Sequence, residues 1–147
     1  SFVSVRNLSC FGHVMAIYSP SASRQRTLAL QRRSFEFTCS VIRGYPATPS
    51  LDEASRIVWR QLIRAATSST FNLEEADAAS SDADFLAKMR IATREAKEAH
   101  VALRLITRCQ LAGSCAAAQL QDEANQLAAI LVTIVKNRAA KLATQNS

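Results

Sequence analysis

Hydrophobic positions recur along the chain with a helical period. Phe85, Met89, Ala92, Ala96, Ala99, Leu103 and Ile106 advance in alternating steps of four and three, the seam of a helix that packs in a bundle. Leu120, Ala124, Leu127, Leu131 and Ile134 repeat that step after Gly113. Upstream, Ala54, Ile57, Val58, Leu62, Ala65, Ala66 and Ser69 make an apolar-or-small stripe that Phe71, Leu73 and Ala76 resume. A shorter stripe comes from Phe35, Cys39 and Ile42, with Phe37 and Val41 on a neighbouring face. The spacing predicts four helices, the first over about Leu30–Arg43 and the second starting near Leu51.

The punctuation between these stripes agrees with helices. Gly44 follows the last basic residue of the first segment, as a C′ glycine does, and Tyr45-Pro46 closes the stop. Ser50 and Glu53 have the spacing of a capping box. The run from Thr67 to Asn72 is rich in hydroxyls but contains no Gly or Pro. Ser and Thr weaken a helix by only tenths of a kcal/mol each, so the second helix is expected to pass through the run unbroken, close to thirty residues long. Ser80 or Ser81 caps the third helix, and Gly113 separates it from the fourth.

Four helices with short connections predict an all-α, antiparallel up-down-up-down four-helix bundle over residues 30–147. Off-seam apolar residues (Trp59, Leu86, Val101, Ile130, Val135) exceed what one such core needs, which points to a subunit interface. Residues 1–29 are expected to form a poorly ordered extension. They hold an apolar patch, Arg6 as its early charge and a polar break at Asn7, a poor match to a secretory signal. Position 1 is not Met, so an upstream-derived segment with Met15 as the true start fits this stretch.

Composition supports the fold class. Of 147 residues only three are Gly and three Pro, while Ala, Leu, Arg, Glu and Gln are abundant. No run of 18 apolar residues exists, so no transmembrane helix is expected. The four cysteines, Cys10, Cys39, Cys109 and Cys115, form no Cys-x-x-Cys pair, and only His13 and His100 could complete a ligand set. That argues against zinc. Cys39 and Cys109 are expected to be small buried apolar residues in a reduced, cytoplasmic setting.

Charge narrows the function classes. The formal net charge is +6, which favours acidic partners, nucleic acid above all. Arg56, Arg60 and Arg64 step by four, and Arg90, Arg94, Lys97, Arg104 and Arg108 step in heptad fashion. Arg56, Arg60, Arg90, Arg94, Lys97, Arg104 and Arg108 are therefore candidate phosphate contacts. The plainer reading is a solvated face on which Glu53 pairs with Arg56. Aromatic residues make up 6% of the chain, too few for a base-stacking groove. Arg64, Asn72, Glu75 and Glu98 are candidates for a structural polar network around the hydroxyl run.

No enzyme motif accompanies these groups. Glu74, Glu75 and Asp77 read as a solvated face. His100 follows Glu95 by five and Glu98 by two, whereas a di-iron bundle needs Glu and His three apart on two helices. No nucleophile elbow and no phosphate-cradling loop occurs. The residues favour a non-enzymatic protein without cofactor that binds RNA or DNA. A protein-interaction module is the alternative, and a metal-dependent enzyme a third class.

Two phrases then identify a resemblance. "LIRAATSSTFNLEEA" contributes Ile63, Arg64, Ala66, Ser68, Asn72, Glu75 and Ala76, and "DFLAKMRIATREAKEAHVALRLI" contributes Phe85, Leu86, Lys88, Ile91, Ala92, Arg94, Glu95, Ala96, Glu98, Leu103 and Leu105. They resemble the four-helix-bundle family encoded within intervening sequences of bacterial large-subunit rRNA genes. "RSFEFTCSVIRGYP" looks like that family's first helix, so the similarity covers roughly Leu30 to Ala140. Thr70 and Phe71 stand where the family usually has small residues, and an aromatic often found near Val101 and Ala102 is missing. The resemblance implies a homo-oligomer, by family a pentamer. A related branch, the accessory variability determinant of diversity-generating retroelements, implies RNA or DNA and a reverse transcriptase as partners.

Overall fold

The hydroxyl run is helical. In the computed structural model, which describes residues 21–145, four helices follow one another: α1 (Ala22–Gly44), α2 (Glu53–Asp77), α3 (Asp82–Arg108) and α4 (Ser114–Gln145). No strand occurs among the described residues. The expectations for Cys10, His13 and Met15, and most of that for residues 1–29, fall outside the described residues. The first helix starts at Ala22 rather than near Leu30. Its start signal is Ser21, whose Oγ accepts a hydrogen bond from the Arg24 N–H at 3.2 Å.

The chain divides after Leu30 into two compact units. In the unit that begins at Gln31, polar contacts fix the register between neighbouring helices. Thr38 Oγ1 donates to the Ala66 carbonyl at 3.1 Å, and Ser34 Oγ meets Thr70 Oγ1 at 2.8 Å. As residue numbers rise on α1 they fall on α2, so the two run antiparallel. Ser69 Oγ reaches the Ala92 carbonyl and Lys88 pairs with Glu75, which does the same for α2 and α3. Gln121 with Thr107 and Arg138 with Asp82 set α3 against α4. Arg33 bonds Glu123 through Nη2 at 2.7 Å and closes the ring between α1 and α4. The result is an all-α, antiparallel four-helix bundle. Its core holds Val41, Leu62, Met89, Leu103, Ile106 and Leu131, with alanines at Ala65, Ala92, Ala99 and Ala124.

Three faces differ from the hydrophobic pattern. On α1 the buried set is Gln31, Ser34, Phe37, Thr38 and Val41, while Phe35 and Ile42 face outward. The hydroxyls win the interior because each finds a partner: Ser34 and Thr38 both bond Thr70, and Thr38 also donates to a carbonyl. On α2, Ile57 and Phe71 are exposed, and Ser55 and Trp59 take the buried positions. Leu86, placed off the seam by its spacing, is buried on α3.

One end of the bundle is organised around Trp59. Its ring is fully buried, its Nε1 donates to the Ala112 carbonyl at 2.7 Å, and Tyr45 meets it edge-on. Gly113 sits against the ring at φ +76°, in the left-handed region that favours glycine. Gly44 is the last residue of α1 and is not in that region. It is small because a Cβ there would stand 3.2 Å from Trp59 Cη2. Asp52, not Ser50, caps α2. Its carboxylate accepts from the Ser55 N–H at 2.8 Å and from the Ser55 hydroxyl, and these bonds hold its pKa below the ordinary aspartate value. Ser55 Oγ in turn accepts from the Ala112 N–H, tying the α3–α4 turn to the start of α2.

Candidate nucleic-acid interface

The heptad spacing of its cations gives α3 one outward basic face. Residues four and three apart return to the same side of a helix, so Arg90, Arg94, Lys97, Arg104 and Arg108 line up beside Val101. All six are exposed. At 1.5 Å per residue the line from Arg90 to Arg108 is about 27 Å long. Among the described residues none of the five cations makes an ion pair. Arg108 lies in the last turn of α3, where a cation complements the helix dipole.

Acidic residues lie close by but face elsewhere. Glu95 and Glu98 point toward α2, where Arg64 engages both. Its Nη2 lies 2.7 Å from Glu98 and its Nη1 3.6 Å from Glu95. The Glu98 hydrogen bond, then the Glu95 charge, raise the Arg64 pKa. Gln61 also donates to Glu98. Two carboxylates that would otherwise offset the α3 face are thereby committed to the α2–α3 groove. One oxygen of Glu95, Oε2, is buried without a partner.

On α2 the candidates separate. Arg56 bonds Glu53 at 2.6 Å and the Leu51 carbonyl at 2.8 Å, so its charge is already paired. Arg60 is exposed and makes no ion pair among the described residues. Of the four residues grouped as a polar network, Arg64 and Glu98 meet. Glu75 pairs instead with Lys88, whose pKa the contact raises. Asn72 Nδ2 bonds the Ser68 carbonyl of its own helix at 2.9 Å. Glu95 and Gln61 were missed by the sequence reading, although Glu95 precedes Glu98 by three residues and so shares its flank.

His100 is half-buried on the flank of α3. Desolvation lowers its pKa, and Arg104 lowers it further. Cys39 is partly buried, and Cys109 and Cys115 are exposed free thiols at the α3–α4 turn, which corrects the expectation of a buried Cys109. No three His, Cys, Asp or Glu side chains cluster as a metal site among the described residues. No described helix is long and apolar enough to cross a membrane.

Comparison with known proteins gives two findings. A family model, 23S rRNA-intervening sequence protein, matches residues 26–133. A solved structure from Bacteroides thetaiotaomicron, a protein with unknown function from the S23 ribosomal protein family, is similar with a TM-score of 0.63 and 26% identity, over 75% of this chain and 97% of that one. No curated protein matches the chain at a significant level.

Proposed function

The chain belongs to the 23S rRNA-intervening sequence protein family, and on that footing we propose that it is a non-enzymatic, self-associating bundle that binds RNA or DNA as an accessory or scaffold protein. The observation that carries this reading is the α3 face: five exposed cations in one line, none of them ion-paired among the described residues. Exposed, unpaired cations release counterions when they meet phosphate, and that release drives binding without regard to sequence. Arg60 adds to the same charge from α2, while Arg56 contributes less because Glu53 holds it. The pairing of Arg64 with both Glu95 and Glu98 across α2 and α3 supports a structural role for that cluster.

Self-association is assigned to α1 and α2, where Phe35, Ile42, Ile57 and Phe71 are exposed. The resemblance favours five copies, which would multiply the α3 face. The test is a salt titration of binding to RNA and DNA. At about one released counterion per neutralised phosphate, five contacts give a log–log slope of roughly −4 to −5 per copy on a duplex. Absence of binding at about 50 mM salt, or a slope near zero, would reject the reading and favour a protein-interaction module instead.

A further inference from the structure

The five cations of α3 are not evenly spread. Arg90, Arg94 and Lys97 form one group and Arg104 and Arg108 another. Between Lys97 and Arg104 the same face presents only Val101, which is exposed. With 1.5 Å of rise per residue, the group centres stand about 18 Å apart and the uncharged gap is about 10 Å long. Both groups sit on one rigid helix held by its neighbours, so their separation is fixed before any ligand arrives.

Resting on the nucleic-acid reading above, we infer that this face takes a double helix, with one cation group on each of the two phosphate walls of a groove and Val101 over the opening. The B-form major groove opens about 12 Å between its walls, and the phosphates that line it are centred farther apart than the opening itself. The two groups have the separation to reach both walls at once. A single strand asks for something different: cations distributed along one continuous backbone and aromatic platforms for unstacked bases. The α3 face interrupts the first at Val101 and lacks the second among the described residues, since the exposed phenylalanines Phe35 and Phe71 lie on α1 and α2. The shared chemistry is two facing rows of phosphates, which DNA and RNA duplexes both present, on grooves of different width.

The experiment compares the full chain on a 20-base-pair DNA duplex, an RNA duplex of matching sequence and the component single strands, at two salt concentrations. The expected result is tighter binding of at least one duplex than of either strand, by tenfold or more, and the tighter duplex names the source. Two variants remove equal charge. Arg104→Gln/Arg108→Gln empties one wall and should abolish the duplex preference. Arg90→Gln/Arg94→Gln leaves Lys97 on its wall and should weaken binding while keeping the preference. All four side chains are exposed, so both variants retain the bundle, as circular dichroism would verify. Single strands bound as tightly as duplex, or equal loss of preference in the two variants, overturns the inference and leaves the nucleic-acid reading standing. Failure to bind any of these duplexes or strands overturns that reading itself.

Discussion

Gly44 and Gly113 both abut the Trp59 ring, and only one of them needs to be glycine for its backbone. At Gly113 the φ of +76° places any side chain in the left-handed region, and an added Cβ would lie 2.8 Å from Trp59 Cζ2 and 2.9 Å from Pro46 Cγ. The backbone alone costs about 1–2 kcal/mol for a non-glycine residue, and neither the ring nor the proline can yield cheaply. Gly113→Ala is expected to lose about 2 kcal/mol or more of stability. Gly44 is helical, and its Cβ would meet Trp59 Cη2 at 3.2 Å. There the gain of about 1 kcal/mol from replacing a helical glycine by alanine opposes a mild contact. Gly44→Ala is expected to stay within about 1 kcal/mol of the parent. Urea unfolding of the two variants measures the contrast, and equal losses would contradict it.

Among the elements, α1 and α2 carry the most informative pairing. Thr70 Oγ1 lies 2.8 Å from both Ser34 Oγ and Thr38 Oγ1 inside the bundle. Thr70→Val removes the shared partner and strands the Ser34 hydroxyl, a loss of about 1–3 kcal/mol. The triple variant Ser34→Ala/Thr38→Val/Thr70→Val removes every partner together. It is expected to be no less stable than the single one, because no buried hydroxyl is left unpaired. Greater destabilisation of the triple variant in denaturant titration would show that the hydroxyls contribute more than mutual satisfaction. This pairing also marks where the sequence was opaque. The seam of α3 from Met89 to Ile106 was legible because alanine, leucine and isoleucine have no competing destination. On α1 the same rule ranked Phe35 and Ile42 above Ser34 and Thr38. Burial of those hydroxyls depends on partners about thirty residues away, which no local period records. The α3 cations were legible as a heptad line, but that Arg64 draws Glu95 and Glu98 away from it depends on the packing of two helices.

At the scale of the whole molecule, large exposed apolar side chains concentrate on α1 and α2, with Val101 and Leu105 on α3. Phe35, Ile42, Ile57 and Phe71 are 56%, 49%, 57% and 64% exposed on α1 and α2, whereas no large apolar residue of α4 is so exposed among the described residues. Several such side chains on neighbouring helices favour self-association. Sedimentation velocity is expected to give a mass several times the 16.0 kDa of one chain. Phe35→Lys/Phe71→Lys should lower it to a single chain, while Ala129→Lys, on the exposed side of α4, should leave it unchanged. An assembly indifferent to the first variant would move the contact to another face.

Trp59 has a consequence for how this protein can be watched. It is the single tryptophan of the chain, locked between the end of α1, the start of α2 and the α3–α4 turn. Its emission is therefore an optical gauge of one pole of the bundle, dark to events at the opposite pole. Signals from this indole and from backbone circular dichroism that part company on heating would show that pole loosening ahead of the rods it joins.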